Sequence, residues 1–144
     1  MSISNLQNSK VMNLEKEFVL YPEALELKQL GFDEPCFGWF ASDKSLVKEI
    51  TTKTDFILAP TFSQAFKLFR EKYGYDCSFE DELVYDDDDK EIEMWDFFIY
   101  KTKQASDKKM TFCSNNYGTY VESFCREEAE LACLRKLIEI VKNK

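Results

Sequence analysis

FEDELVYDDDDKEIEMWDFFIYK, residues 79–101, is the stretch on which the fold of this chain turns. Its second part, MWDFFIYK from Met94 to Lys101, is the strongest strand signal present, rich in aromatic and branched side chains. Its first part, Phe79 to Asp96, holds ten of the chain's 27 acidic residues: Glu80, Asp81, Glu82, Asp86, Asp87, Asp88, Asp89, Glu91, Glu93 and Asp96. Lys90 is the one base among them, and Leu83, Val84 and Tyr85 interrupt the charge. That pattern reads as a hairpin with a charged tip leading into the Met94 strand. Without the segment the chain carries 17 acids against 18 bases, so the net charge of −8 is a local property.

Outward from this stretch, three helices have readable ends. Tyr21-Pro22-Glu23 starts the first, with Pro22 at the first helical position, and Gly31 ends it. Ala24, Leu27 and Leu30, with Leu25 beside them, give a core-facing stripe, and Phe32 is placed to fold back on the last turn. The second follows Pro60: Thr61 and Gln64 have capping-box spacing, and Gly74 closes it. Phe62, Ala65, Phe66, Phe69 and Tyr73 share one face, and Lys67, Arg70 and Lys72 the other, most simply a solvated one. The third runs from Arg126 to Val141 on the stripe Ala129, Cys133, Leu134, Leu137, Ile138 and Val141. Glu127, Glu128 and Glu130 near its start and Lys142 near its end suit the helix dipole.

Strand-like runs lie between the helices at Cys36–Ala41, Phe56–Ala59, Met110–Cys113 and Tyr117–Phe124, the last two around the turn Ser114-Asn115-Asn116. The order predicts an α+β fold, a single domain over 17–144 with an antiparallel sheet of about four or five strands packed by three helices. Residues 1–16 read as a flexible leader.

Composition closes several routes. Histidine is absent, which removes His-based triads, His/Cys zinc sites and histidine proton relays. Cys36, Cys77, Cys113, Cys125 and Cys133 are odd in number and form no CxxC pair, so they read as reduced thiols. No apolar run approaches the ~20 residues of a membrane span, and the chain reads as a soluble, cytoplasmic protein that stays in the cell that makes it. No catalytic residue, metal site or cofactor is assigned.

Three readings compete for the acidic segment. It can be a solvated turn that guards an edge strand against aggregation. It can bind a metal, although consecutive aspartates on a strand point to opposite faces and the segment lacks the glycine of a calcium loop. It can also be a binding face: carboxylates interleaved with aromatic rings approach the charge density of nucleic-acid phosphates, about one per 1.7 Å of duplex axis. On that reading Glu80, Asp81, Glu82, Asp86, Asp87, Asp88, Asp89, Glu91 and Glu93 contact a basic partner protein, with Tyr85 and Trp95 as anchors. Direct nucleic-acid binding is disfavoured by the same charge.

EFVLYPEALELKQLGFDEPCFGWF (Glu17–Phe40), APTFSQAFKLFREKYG (Ala59–Gly74) and EEAELACLRKLIEIVKNK (Glu127–Lys144) together resemble short proteins of Bacteroidetes phages and prophages. The likeness covers roughly two-fifths of the chain, falls on caps and core, and carries no catalytic motif; the acidic middle is where this chain departs from it. It implies a mobile-element setting, in which small acidic proteins act as stoichiometric inhibitors of host defence. The anti-CRISPR proteins are that class, and an RNA-targeting type VI CRISPR effector, or its guide-RNA complex, is then the implied basic partner. The alternative is a phage accessory or assembly protein in which the acidic run is only a solvated turn. A metal-dependent enzyme is a third, weaker class.

Overall fold

A computed structural model describes residues 16–51, 56–102, 109–113 and 125–143, with backbone alone for 109–113. The expected leader up to residue 15, the Ser114–Asn116 turn and the Tyr117–Phe124 strand lie outside the described residues. The expected class is found, α+β, with three α-helices and antiparallel strands among the described residues. Among the described residues the strands lie in two antiparallel sheets of three, and the chain divides into two compact units, Met1–Ala65 and Phe66–Lys144.

In the first unit, α1 (Tyr21–Gln29) carries Pro22 in its first turn, Glu23 near its positive end and Lys28 in its last turn. Gly31 takes φ 93, open to glycine at no steric cost, and donates its N–H to Lys28 O at 3.0 Å. The Phe32 N–H reaches back to Leu27 O at 3.0 Å. This pair of bonds is a Schellman ending, with Phe32 buried beside Leu27 as expected from the sequence. Strands β1 (Trp39–Phe40), β2 (Leu46–Val47) and β3 (Ile57–Leu58) pair in the order β2-β1-β3, each only two residues long. Gly38 leads into β1 because a Cβ there would meet Leu46 Cδ1 and Val47 O at 3.2 Å. Trp39 stacks on Phe56 with centroids 4.4 Å apart. Val19, Ala24, Leu27, Phe32, Phe40, Leu58 and Ala59 are buried in this unit.

The boundary at Ala65/Phe66 falls inside α2 (Phe62–Leu68). Its capping box is formed: Gln64 N–H donates to Thr61 Oγ1 at 3.2 Å, and Thr61 N–H to Gln64 Oε1 at 3.1 Å. Phe69–Tyr73 then continue as a π-helical turn that the 3.6-residue stripe did not foretell, and Gly74 at φ 74 ends it.

In the second unit, β4 (Tyr75–Tyr85) and β5 (Glu91–Lys101) pair along their whole lengths, from Tyr75↔Lys101 to Tyr85↔Glu91. Among the described residues strand β6 (Lys109–Cys113) pairs with the Phe98–Lys101 end of β5, giving the order β4-β5-β6. Helix α3 (Arg126–Lys142) packs on β4 and β5 with Ala129, Cys133, Leu134, Leu137 and Ile138 buried. Tyr75, Phe97 and Ile99 are buried on the sheet. Each such aliphatic or aromatic side chain is worth roughly 1.5–3 kcal/mol of transfer free energy, so this unit is held from the base of the hairpin.

A candidate protein-binding ribbon

The acidic segment is the far half of the β4–β5 hairpin. The register joins odd residues to odd and even to even, so each rung sits on one face of the ribbon. On the odd face, Tyr75, Phe97 and Ile99 lie buried near the base. Farther out on that face come Asp81↔Trp95, Leu83↔Glu93 and Tyr85↔Glu91. The even face carries Glu80↔Asp96, Glu82↔Met94 and Val84↔Ile92 over the same length. The residues singled out from the sequence are therefore not one row. Asp81, Tyr85, Glu91, Glu93 and Trp95 share the odd face; Glu80 and Glu82 share the even face; Asp86, Asp87, Asp88 and Asp89 form the tip. Side chains alternate across a strand, and that alternation splits the run.

Packing distinguishes the two anchors named from the sequence. Trp95 is half-buried, with the Arg126 guanidinium 5.7 Å above its ring. The same guanidinium lies 5.6 Å from the Phe79 ring and its Nε 3.1 Å from Glu130 Oε1. Phe66 packs on Phe79 from the other side at 5.7 Å. Arg126 of α3 thus covers Trp95, two rungs beyond Phe97 on the ribbon. Tyr85 is 65% exposed, its hydroxyl donating to Glu91 Oε1 at 3.4 Å, and Leu83 is 63% exposed. Leu83 and Asp96 are the residues that sequence reasoning missed. Only the register reveals them, by placing Leu83 beside Tyr85 on the far odd face and Asp96 opposite Glu80.

The tip is built by turn chemistry. Asp86 N–H donates to Lys90 O, and Asp89 N–H to Asp86 O, both at 3.0 Å. Asp86 Oδ1 accepts the N–H groups of Asp88 and Lys90, each at 2.9 Å. Asp89 sits at φ 58. This is a three-residue loop, a turn followed by a left-handed residue, in which aspartate serves both as the carboxylate that bonds its own backbone and as a tolerable left-handed residue. Asp86 is thereby committed to the loop, while Asp87, Asp88 and Asp89 are exposed.

Glu80 and Asp96 face each other across a rung, a placement of like charges that by itself disfavours a sheet. No group of three carboxylates or thiolates able to hold a metal ion occurs among the described residues. The cationic face of the second helix is partly spent internally, with Arg70 4.0 Å from Asp76 and Lys72 over the Tyr73 ring. Among the thiols, Cys36 is pushed up to about 12 by burial and by Glu34. Cys133 is pushed well up by burial and by the neighbouring Cys77 thiol. Neither is poised as a nucleophile at neutral pH.

No helix among the described residues is long and apolar enough to cross a membrane. Comparison with known proteins finds no matching family model, no similar curated protein and no similar solved structure. The functional reading of the ribbon therefore stands on its own residues.

Proposed function

We propose that this protein is a non-enzymatic binding protein that captures a cationic surface of a partner protein with the β4–β5 ribbon. The observation that carries the reading is the distribution of charge: carboxylates on both faces and at the tip of a two-stranded ribbon whose last six rungs lie beyond Phe97, the outermost buried residue of the hairpin. At about 3.4 Å per residue, six rungs give a prong roughly 20 Å long. A prong charged on both sides suits a groove better than a flat surface, because a flat partner meets only one face. Exposed ion pairs contribute only ~0.2–1 kcal/mol each. The charges therefore chiefly steer and orient, and Leu83 and Tyr85 supply apolar contact.

Grooves lined with Arg and Lys are typical of proteins that handle nucleic acid, and the likeness to phage and prophage proteins gives the partner a setting. The specific form of the proposal is an inhibitor of a basic host defence protein, an RNA-guided CRISPR nuclease, whose RNA groove the ribbon occupies. The test is titration of this protein into a guide-loaded type VI effector cleaving a labelled RNA. The expected result is stoichiometric loss of cleavage that weakens as salt rises. Undiminished cleavage with no binding by calorimetry overturns that form.

A second reading is favoured by the Asp86 bonds. In an accessory or assembly protein, Asp86–Asp89 would be a solvated turn and the acidic rungs a guard on an edge strand. Neutralising the tip while keeping its hydrogen bonds would then leave function intact.

A further inference from the structure

Capture by charge alone leaves one part of the ribbon unused, the outer edge of β4. Thr102 donates its N–H to Gly74 O at 2.8 Å, and Asp86 to Lys90 O at 3.0 Å, and both pairs belong to the register of the hairpin. Antiparallel rungs alternate between hydrogen-bonded and non-bonded pairs. Between those two bonded rungs, the even residues of β4 turn N–H and C=O toward β5. The odd residues Phe79, Asp81, Leu83 and Tyr85 turn theirs outward. The strand order ends at β4, and among the described residues no strand pairs with this edge. Nearer the base the outward Cys77 N–H is already taken by Asp76 Oδ1 at 2.9 Å, so the edge offers itself from Phe79 on.

The side chains along that edge are of two kinds. Glu80, Asp81 and Glu82 are exposed acids, and next to them Leu83 and Tyr85 are among the most exposed large apolar residues described. A row of free backbone groups invites an added strand. The acids decide which strand: an acidic segment, including a second copy of β4, would set carboxylates beside carboxylates. A segment with Lys or Arg opposite residues 80–82 would instead set opposite charges side by side.

We propose that the β4 edge takes up an extended segment of the basic partner as an added strand, its Lys or Arg beside Glu80, Asp81 and Glu82 and its apolar side chains beside Leu83, Val84 and Tyr85. This rests on the capture reading of the ribbon and specifies how the partner is held: main-chain bonds give the register, and the acid-then-apolar order gives the direction.

The experiment uses the full chain and two capped synthetic peptides, Lys-Arg-Lys-Val-Thr-Val and its reverse, with a control in which prolines replace both valines. Affinity and amide hydrogen exchange are followed by NMR at low salt. The expected result is that one orientation binds and slows exchange of the Phe79, Asp81, Leu83 and Tyr85 amides at least tenfold, while the proline control does not. Combined Glu80→Gln, Asp81→Asn and Glu82→Gln substitution should weaken that peptide on the order of tenfold. Leu83→Pro, which removes an outward N–H from an edge strand, should abolish the protection while the even-numbered amides of β4 stay protected. If the peptide binds but leaves the odd amides unchanged, or the proline control binds equally well, the added strand is wrong and capture by charge stands. If neither the peptides nor polylysine bind, both readings fall.

Discussion

Replacing the tip as Asp86→Asn, Asp87→Asn, Asp88→Asn and Asp89→Gly separates its two roles. The change moves the net charge from −8 to −4 and keeps the geometry. An Asn at 86 retains the Oδ1 that accepts the Asp88 and Lys90 N–H groups at 2.9 Å. A glycine at 89 adopts φ 58 freely, where an L-residue is strained by ~1 kcal/mol or somewhat less for aspartate. The quadruple variant should therefore melt at or slightly above the parent temperature. Asp86→Ala alone loses both acceptor bonds; at an exposed loop these are worth about 1 kcal/mol together, or a few degrees in Tm. Binding to a cationic partner responds differently. Four of the ten carboxylates between Phe79 and Asp96 are gone, so Kd at low salt should rise on the order of tenfold, and the affinity should depend less on ionic strength. Thermal melts and calorimetry at two salt concentrations measure both. An unchanged Kd removes the tip from the binding surface. An Asp86→Ala protein as stable as the Asn variant shows that the carboxylate does not hold the loop.

Three further outcomes are expected. Arg126→Ala removes the guanidinium from over Trp95 and Phe79 and its pair with Glu130, costing the second unit ~1–2 kcal/mol; Trp95 emission should shift to the red, and an unshifted spectrum would mean the stack is not populated. Ile99→Ala empties a fully buried site under α3 and should cost ~2–5 kcal/mol by chemical denaturation; a loss below about 1 kcal/mol would contradict the core described. Cys36, with its thiol raised from 9.0 to about 12 by burial and Glu34, stays neutral in the folded chain where the unfolded chain ionises. The stability it contributes is complete below pH 9 and is lost between pH 9 and 12; a Cys36→Ala protein whose melting temperature falls as steeply over that window refutes the assignment.

The parts of the fold legible in the sequence are those fixed by local chemistry. Thr61 with Gln64, Gly31 with Phe32, and the Ala129–Ile138 stripe each state their structure within a few residues, and all three are formed. Strand β4 is different. Glu80-Asp81-Glu82 has poor intrinsic preference for a strand, and it is extended because its rungs pair with the far stronger β5 sequence, which is a property of two segments together. The same holds for the candidate site. A run of four aspartates does not say which one turns the chain, since the hairpin register selects Asp86. Nor does it say that Trp95 is covered while Leu83 is exposed, because Arg126 arrives from thirty-one positions away. Strands of two residues such as β2 carry too little periodicity to be read at all.

The arrangement of stability and charge along the hairpin has a consequence for how this surface could diversify. Buried residues end at Phe97, and the acids lie from Glu80 and Asp96 outward. From the Leu83↔Glu93 rung outward, substitutions lie four or more rungs from Phe97, about 14 Å at ~3.4 Å per residue, far enough to act additively with the core, so the charge of the outer ribbon can be altered without endangering the base. The exposed acids Glu80, Asp81, Glu82, Glu91 and Glu93 add nothing to the core. Folding alone would be served as well or better by threonine or lysine at these positions. A solubility device does not need acids on both faces and on the tip of one hairpin while the rest of the chain is close to neutral. A cationic groove and an aggregation guard therefore predict different responses: neutralising the acids on both faces should weaken the capture proposed here, whereas a guard needs charge only along the open β4 edge.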